Sequence, residues 1–315
     1  MTTIAEPATL TTDRTVSRDL LHRWSLSEVF LTGYHRLDET RFAAAAQLPL
    51  SHGYFRDRVV AEDVYDPLQV LEAGRQAMTY GAHVHQLLPR DTAFLVRSWR
   101  LELASRAALR CGDRPGELRI EAAVERHARG GQVRRLGFAM TLELDGRDVG
   151  ELVMDIGCAP AEQYLALRRM QRGRDIATAF ALPAGPAGRP VTPSDVDRRH
   201  PANVVLDGLR AEADALHAWL SPRTYRNRSM YDHPYDHVPA MVLSEAASQL
   251  GLLLTGGASA GRVATRVDGR FGRFAEVDAP VELTAVPLAA PGTSRTTAVQ
   301  GGVVVAEIDV TLPEA

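Results

Sequence analysis

The chain has 315 residues, of which 45% are hydrophobic, and a formal net charge of −3 at pH 7. That length suits two domains with a core each, and the small charge gives no reason to expect a nucleic acid or an anionic membrane as partner. All 36 basic side chains are arginines. A Schiff-base lysine and a Walker phosphate loop are therefore excluded, and arginine must bind any phosphate.

Residues 1–19 are predicted to be a flexible leader, because they lack the basic and apolar segments of a signal peptide. No apolar run reaches the roughly eighteen residues that a membrane-spanning helix needs. The two cysteines, Cys111 and Cys158, stand in no metal-binding spacing and fit a reducing compartment. We therefore expect a cytoplasmic protein with no membrane partner.

Residues 20–157 are predicted to form a first domain with one long helix ahead of a β-meander. The stretch SLSEVFLTG predicts a strand. The helix is predicted from Pro67 to Leu88, with Asp66 as its N-cap. Four extended stretches separated by glycine-rich turns follow, the first beginning at Thr92. This order is typical of an antiparallel sheet packed on one helix.

Residues 158–197 are predicted to form a connecting helix followed by a Pro/Gly-rich linker. Residues 198–315 then repeat the order of the first domain, with an opening strand in HPANVVLDGL, an apolar helix beginning near Pro239 and four extended stretches. Both long helices carry the pattern E-A-x-x-Q, which begins at Glu72 in the first and at Glu245 in the second. The shared order and pattern predict an internal duplication.

An antiparallel sheet wrapped round one buried helix is the hotdog architecture. The chain is therefore predicted to be α+β, a double hotdog with two antiparallel sheets, each wrapped round one long central helix. Two sheets placed edge to edge would make a monomeric pseudo-dimer, and a homodimer is also compatible with the sequence. Two unrelated α+β domains are the alternative.

The stretch YDHPYDHVP, just before the second long helix, contains two Asp–His pairs. His233 and His237 are four residues apart, a spacing that can chelate a metal on one face of a helix. Pro234 lies between them and makes a continuous helix improbable there. We therefore expect no metal and no cofactor.

The same stretch fits acid–base chemistry at the start of a helix. Free amides of Ala240 and Met241, after Pro239, are expected to stabilise an oxyanion. His237 before the helix and Glu245 inside it are the candidate catalytic pair. The order H-x-P…E-A resembles the motif of hotdog acyl-carrier-protein dehydratases. The alternative for Glu245 is a structural pair with an arginine.

The first half offers its own candidates. Glu72 and Arg75 predict a second site, or one composite site between the halves, and the alternative is a surface ion pair. His52 is either a pocket donor or a histidine whose bonds hold its loop. Two arginine groups predict either a solvated face or docking of an acidic carrier protein or a phosphate. They comprise Arg168, Arg169, Arg172 and Arg174 in the connecting helix, and Arg223, Arg226 and Arg228 before the second long helix.

Several motifs, in the same order along the chain, resemble those of the A-factor biosynthesis family, the AfsA-type γ-butyrolactone synthases of actinomycetes. They are LLHRWSLSEVFLTG, QLPLSHGYF and YDPLQVLEAGRQ in the first half, and RRHPANVVLDGL and YDHPYDHVPAMVLSEAASQ in the second. The resemblance implies an acyltransferase that condenses a β-ketoacyl chain on acyl carrier protein with dihydroxyacetone phosphate. Its product would be a phosphorylated β-ketoester, a precursor of γ-butyrolactone, butenolide or furan signalling molecules.

Such a reaction needs a base, an oxyanion donor and a phosphate ligand. We expect Glu245 or Glu72 to be the base and Arg75 to bind the phosphate. His237 and His52 are expected to be proton donors or pocket residues. The remaining candidates for substrate binding are Gln76, Gln249, Asp236 and His233.

Two other functions fit the same residues. A hotdog thioesterase or dehydratase would share the fold and the His/Glu pair but would act without dihydroxyacetone phosphate. A non-catalytic protein that binds an acyl ligand would be a regulator. The sequence shows no evident DNA-binding helix-turn-helix, so a nucleic acid is not expected as partner.

Overall fold

The computed structural model describes residues 10–183 and 188–314. In this part of the chain the α-helices are Pro67–Val84 (α1), Ala161–Arg172 (α2) and Ala240–Leu254 (α3). The first six strands are Leu31–Arg36 (β1), Arg41–Leu48 (β2), Thr92–Leu103 (β3), Gly116–Arg129 (β4), Gln132–Leu144 (β5) and Arg147–Pro160 (β6). The next six are Leu206–Glu212 (β7), Ala215–Leu220 (β8), Arg266–Phe271 (β9), Glu282–Pro287 (β10), Thr293–Gln300 (β11) and Val303–Thr311 (β12).

All twelve strands belong to one antiparallel sheet, in the order β1-β2-β4-β5-β6-β3-β9-β12-β11-β10-β8-β7. The second half repeats the strand order of the first half, read from the opposite edge. The halves join where β3 pairs with β9, with Trp99 opposite Gly269. The strands that the sequence divides between two sheets are therefore hydrogen-bonded into one continuous sheet.

The predicted helix of the first half is present as α1. The Asp66 side chain accepts a hydrogen bond from the Leu68 N–H at 2.9 Å, and Pro67 occupies the first turn, as expected of an N-cap and its neighbour. The helix ends at Val84, before the predicted Leu88, because the chain turns back through Leu87 at a φ of +56°. Nearly the whole of α1 is buried, so its position is set by packing on all sides.

Two local predictions differ from the structure. The stretch SLSEVFLTG begins as a short 3-10 turn at Leu26–Glu28, capped by Ser25, and only its end enters β1. The expected four-strand meander is also interrupted, because β3 pairs with β6 and β9, whereas β4, β5 and β6 are consecutive neighbours. The strand that joins the two halves is thus the one that directly follows the long helix.

Both long helices approach the sheet closely, and each does so at a glycine. A Cβ atom at Gly74 of α1 would lie 2.2 Å from Leu152 Cδ2. A Cβ atom at Gly251 of α3 would lie 2.7 Å from Leu312 Cδ1. The two helices also contact each other. The N-terminal end of one helix can therefore share a site with side chains of the other.

The regions outside the two halves are described in part. Residues 1–9 of the predicted leader and residues 184–187 of the predicted linker lie outside the described residues. Val16 donates its N–H to the Leu31 carbonyl at 3.0 Å, so this part of the leader contacts the first strand. Among the described residues, no helix has both the length and the apolar character needed to cross a membrane.

Candidate active site

A cavity of about 430 Å³ lies between the two halves of the chain. Its first-half wall carries charged and polar groups from α1 and from the segment before β1. Its second-half wall is the segment that leads into α3, together with the first turn of that helix. The polar lining residues are His22, Arg23, Glu28, Tyr54, Glu72, Arg75, Tyr164, Ser229, His233, Tyr235, Asp236 and His237.

Glu72 lies in this cavity between two arginines. Arg23 Nη2 is 2.5 Å from Glu72 Oε1. Arg75 binds the same carboxylate through Nε at 2.7 Å and Nη2 at 2.8 Å. Burial alone would raise the pKa of Glu72, but Arg23 and Arg75 lower it to about 2. Glu72 is therefore an anion at neutral pH and a weak base, and its pairing with Arg75 is buried rather than on the surface.

Gln76 does not line the cavity, and both ends of its side-chain amide are bonded within the protein. Its Oε1 accepts from the Phe30 N–H at 2.8 Å. Its Nε2 donates to the Glu28 carbonyl at 2.7 Å and to Glu72 at 2.8 Å. The side chain fastens α1 to the segment before β1 and orients the Glu72 carboxylate.

Gln249 makes the same bonds in the second half. Its Oε1 accepts from the Val205 N–H at 3.1 Å. Its Nε2 donates to the Asn203 carbonyl at 2.8 Å and to Glu245 at 2.6 Å. The E-A-x-x-Q pattern therefore marks the way each long helix is fixed to the segment that precedes its half's first strand.

Glu245 lies outside the 430 Å³ cavity, beside a void of about 20 Å³. Arg198 donates to its carboxylate through Nε at 2.9 Å and Nη2 at 2.8 Å, and the Tyr54 hydroxyl donates at 2.9 Å. Burial raises the pKa of Glu245, Arg198 opposes this, and the nearby Asp66 carboxylate adds to the rise. The structure thus contains the Arg–Glu bridge that the sequence left as the alternative for Glu245.

Further charges fill the space around this bridge. Arg198 Nη2 also reaches Asp66 Oδ2 at 3.1 Å, and Arg58 binds Asp66 at 3.3 Å and Asp197 at 2.8 Å. Burial opposes ionisation of Asp66, yet Arg198 and Arg58 hold its pKa below the ordinary value. Since Asp66 also caps α1, the N-terminus of that helix is already occupied by a carboxylate.

His237 and Asp236 form a hydrogen-bonded pair on the opposite wall of the cavity. Asp236 Oδ1 is 2.6 Å from His237 Nδ1, and the Tyr164 hydroxyl donates to both carboxylate oxygens at 2.8 and 2.7 Å. Burial opposes ionisation of Asp236, but its bonds with His237, Tyr164 and Arg168 hold its pKa well below the usual range. An ionised Asp236 must accept from Nδ1–H, which leaves Nε2 of a neutral His237 as a proton acceptor.

The first turn of α3 lies next to this pair. Pro239 is the N-cap and supplies no side-chain cap to the helix. Its carbonyl accepts the first helical bonds, from the N–H groups of Val242 at 2.9 Å and Leu243 at 3.2 Å. The amides of Ala240 and Met241 precede these bonds, and both residues line the cavity. Such amides, at the positive end of a helix dipole, favour an anionic oxygen.

The other two histidine candidates have different surroundings. His233 lines the cavity and stacks on Tyr235, with ring centroids 3.9 Å apart. His52 lies outside this cavity, and its Nδ1 accepts from the N–H groups of Tyr54 and Phe55 at 3.2 Å. Its Nε2 is 3.4 Å from Glu28 Oε1. His52 therefore holds its own loop, which is the alternative that the sequence left open.

Most of the arginine groups before and after the linker are bound within the protein. Arg168 is fully buried and donates to the Asp236 carbonyl at 2.6 Å and to Glu276 at 2.6 and 2.8 Å. Arg172 bridges Glu276 and Asp278. In the second group Arg223 pairs with Asp207, Arg226 donates to the Leu182 carbonyl, and Arg228 lies over the Phe180 ring. Arg168 and Arg172 fit neither of the two alternatives, a solvated face or docking of a partner, because these buried side chains fix α2 to the second half.

Seven polar side chains of the cavity were not among the candidates from the sequence: His22, Arg23, Glu28, Tyr54, Tyr164, Ser229 and Tyr235. His22 Nε2 is 2.9 Å from His83 Nε2, and burial, His83 and Arg75 lower its pKa to about 4. The sequence could have indicated Arg23 by its spacing, because Arg23 and Glu72 are 49 residues apart and Arg198 and Glu245 are 47 residues apart. Tyr54 and Tyr164 carried no comparable signal.

The described residues contain no group of three or more His, Cys, Asp or Glu side chains placed to hold a metal ion. His233 Nδ1 is 3.9 Å from Asp232 Oδ2, and that aspartate accepts from the Trp24 N–H at 2.6 Å. His237 is bonded to Asp236, as described above. The residues of the sequence's metal alternative are thus engaged in separate contacts.

Solved structures with little sequence identity show the class of fold. The dehydratase domain from the CurF module of the curacin polyketide synthase matches with a TM-score of 0.52 at 12% identity, covering 89% of this chain and 96% of that one. A candidate thioesterase from Novosphingobium aromaticivorans matches with a TM-score of 0.50 at 15% identity, covering 90% and 98%. With the family match below, these likenesses establish a hotdog fold with a large antiparallel sheet.

The chain belongs to the family of the A-factor biosynthesis hotdog domain, whose model matches residues 4–160 and 182–313. A relative from Streptomyces virginiae is 31% identical over 278 residues, covering 88% of each chain, and is named 2-oxo-3-(phosphooxy)propyl 3-oxoalkanoate synthase. Relatives of the same name from Streptomyces griseus and Streptomyces coelicolor are 30% identical, covering 86% and 88% of this chain and 85% and 84% of theirs. The family predicted from the sequence motifs is confirmed.

Proposed function

We propose that this protein is an acyltransferase that joins a 3-oxoacyl group, delivered as a thioester, to the free hydroxyl of dihydroxyacetone phosphate. The product would be the phosphorylated 3-oxoester in the names of its relatives, a precursor of butyrolactone-type signalling molecules. One observation carries the proposal. A single cavity contains the arginine-bound Glu72, the Asp236–His237 pair and the first turn of α3, which has no side-chain cap.

The strand order and the bonds of the two long helices suggest how the chain is divided into domains. We propose a double hotdog, with one hotdog domain in residues 20–157 around α1 and another in residues 198–315 around α3. The repeated strand order and the matching bonds of Gln76 and Gln249 support this division. In such an arrangement each helix N-terminus faces side chains of the other helix, so two half-sites are possible.

Only one of the two half-sites is proposed to act. At the α3 end the helix has no side-chain cap, and the cavity holds about 430 Å³, within the range of small-molecule sites. At the α1 end Asp66 occupies the helix N-terminus, and Arg198 and Glu245 fill a space whose remaining void is about 20 Å³. A carboxylate at that end would repel an oxyanion. Glu245 is accordingly assigned a structural role.

His237 is the proposed base. Its Nε2 takes the proton of the dihydroxyacetone phosphate hydroxyl as that oxygen attacks the thioester carbonyl. The resulting oxyanion is bound by the amides of Ala240 and Met241. When the tetrahedral intermediate collapses, the carbon–sulfur bond breaks and the departing sulfur takes the proton from Nε2. Asp236 stabilises the imidazolium between these two steps, and no acyl-enzyme forms.

Arg75 and Arg23 are the proposed ligands of the substrate phosphate. Both line the cavity, and Arg23 Nε has no hydrogen-bond partner among the described residues. Glu72 holds the two guanidinium groups in one place, so that planar donors are oriented before the phosphate arrives. Glu72 is therefore assigned a positioning role, since a carboxylate with a pKa of about 2 would be a poor base.

The thioester donor is proposed to be an acyl carrier protein, and the protein is proposed to act in the cytoplasm. Hotdog relatives in structure include a dehydratase domain of a polyketide synthase module. Cys111 and Cys158, the only cysteines of the chain, are both free, which fits a reducing compartment.

The test is a mass-spectrometric assay of the released acyl species. The protein is incubated with a 3-oxoacyl carrier protein, with and without dihydroxyacetone phosphate. A phosphorylated ester that forms only with both substrates is the expected result. Release of free 3-oxoacid without the phosphate substrate would contradict the proposal and indicate a thioesterase. An unsaturated acyl chain formed without that substrate would indicate a dehydratase. An acyl ligand retained without turnover would indicate a binding protein.

A further inference from the structure

A second cavity, of about 520 Å³, adjoins the proposed active site. Phe94, Val96, His237 and Ala240 line both cavities. The two spaces therefore meet at the proposed base and at the first amide of α3. The other apolar walls of the second cavity include Leu95, Leu167, Val238, Leu243, Phe271 and Phe274.

Three arginines stand among these apolar walls: Arg97, Arg270 and Arg273, which we call the arginine mouth. All three are exposed, and Arg97 keeps 62% of its side-chain surface open to solvent. Its Nε is 3.6 Å from Asp155 Oδ2, a loose contact for an ion pair. The arginine mouth therefore presents positive charge at the solvent end of an apolar cavity whose inner end is the acyl-transfer site.

We propose that the second cavity receives the phosphopantetheine arm of an acyl carrier protein, and that the arginine mouth binds the arm's phosphodiester and the acidic protein surface around it. The inference rests on the proposed acyltransfer. The thioester at the end of the arm would then reach His237 from the side opposite to Glu72 and Arg75. The two substrates would enter through separate cavities and meet at the first turn of α3.

Charge and polarity both favour this occupant over a bare acyl chain. Beyond its 3-oxo group an acyl chain is apolar and carries no negative charge, so it gains little from three guanidinium groups. A pantetheine arm has an anionic end outside and a thioester end inside, which matches the polarity of this cavity. Exposed charges of this kind mainly accelerate encounter with an oppositely charged protein, and salt screens their effect.

Helix α2 fixes the boundary between the two cavities. Tyr164 lines the first cavity, while Leu167 and Gln171 line the second. The spacings of three and four residues place all three on one face of α2. Arg168, on the same helix, anchors it through Asp236 and Glu276. The wall of the second cavity is therefore held by the same contacts that orient His237.

The first experiment measures binding, so that it does not depend on turnover. The probe is a carrier protein whose arm bears a 3-oxoacyl chain through a non-hydrolysable amide, followed by fluorescence anisotropy. The double variant Arg270→Glu and Arg273→Glu is expected to raise the Kd at least about tenfold at low ionic strength, with a smaller effect at high salt.

The control is Arg147→Glu, a single charge reversal at a residue outside the second cavity. Arg147 is exposed and lies in β6, ten residues before the Gly157 that lines the second cavity, which is about 33 Å along a strand. This variant is expected to leave the Kd within about twofold of wild type. Equal binding by the double variant and wild type, or equal weakening by Arg147→Glu, would overturn the docking assignment. Binding is measurable even if no ester forms, so failure of the proposed function would remain distinct.

The second experiment tests the path of the arm. Leu167→Trp narrows the second cavity and is expected to lower kcat/KM for a pantetheine thioester at least about tenfold, with little change in KM for dihydroxyacetone phosphate. Met170→Trp makes the same replacement on the solvent side of α2, where Met170 is 75% exposed, and is expected to behave as wild type. An unchanged kcat/KM in Leu167→Trp would show that the arm does not use this cavity.

Discussion

Replacing Glu72 with glutamine separates the positioning role proposed here from a role as base. The two arginines that bind Glu72 lower its pKa from an ordinary 4.5 to about 2. That difference corresponds to about 3 kcal/mol of stability at neutral pH. Because the folded-state pKa is the lower one, this stability is present above pH 4.5 and is lost as the pH falls towards 2. The free energy of unfolding of Glu72→Gln at pH 7, measured by urea denaturation, should therefore be about 3 kcal/mol lower than that of wild type.

The kinetic effect of Glu72→Gln should appear in substrate binding. Without the carboxylate, Arg23 and Arg75 lose the group that holds both guanidinium groups in place. We expect KM for dihydroxyacetone phosphate to rise about tenfold or more, because one charge-assisted hydrogen bond contributes about 1.5–3 kcal/mol. We expect kcat to fall much less, since the proposed base is retained. Initial rates at varied dihydroxyacetone phosphate would measure both constants.

Glu245→Gln is the matched control, because Glu245 occupies the equivalent position on α3 and makes the equivalent bond with Gln249. It should lose stability through the broken bridge with Arg198 and keep KM for dihydroxyacetone phosphate near the wild-type value. The positioning role would be refuted if Glu72→Gln lowered kcat by about 10²–10⁴ with an unchanged KM, which is the result expected of a lost general base.

Three further predictions concern the proposed base, the stability of the protein at acid pH and a close backbone contact in the sheet. His237→Gln should lower kcat at least about 100-fold while a non-reactive phosphate analogue still binds, as measured by calorimetry; retained turnover would remove His237 as the base. Burial, His83 and Arg75 lower the pKa of His22 from 6.5 to about 4. Between pH 4 and 6.5 the unfolded chain therefore binds more protons than the folded chain, so stability falls as the pH drops from 6.5 to 4. His22→Gln should make that fall in Tm smaller, and an equally steep fall would contradict the assignment. Gly150 has a φ of +135°, and a Cβ there would lie 2.0 Å from the Glu102 carbonyl oxygen. Gly150→Ala should therefore lower the free energy of unfolding by at least about 2 kcal/mol, as measured by denaturation. Gly146→Ala is the control and should lose less, because the space around Gly146 is open.

The order of elements could be predicted because it follows from local patterns. The N-cap at Asp66, the apolar helix after Pro239 and the alternating stretches that became β4 to β6 are all readable within short windows. The position of β3 was not readable in this way. Its neighbours β6 and β9 are distant along the chain, and alternation within a strand does not say which strand lies beside it.

The candidate site was predicted in part, and the part that failed to appear in the sequence is the pairing between halves. His237, Glu72 and Arg75 were identified and do line one cavity. Glu245 was identified by the same pattern as Glu72, yet its surroundings differ. Each glutamate binds an arginine of its own half, so the difference comes from Tyr54 and Asp66 of the first half, which contact the Arg198–Glu245 bridge. A buried carboxylate in a helix indicates a partner or a function, and only the fold shows which of these is present.

The two long helices differ at two equivalent positions, and both differences bear on the proposal that only one half-site acts. Three residues after the motif's glutamate stands Arg75 in α1 but Ser248 in α3. At the N-cap stands Asp66 in α1 but Pro239 in α3. The open cavity therefore combines a helix end without a capping carboxylate with an arginine that can bind a phosphate. The closed half-site has the reverse of both. These two differences support the proposal of a single acyl-transfer site, in which the buried charges of the closed half-site hold the halves together.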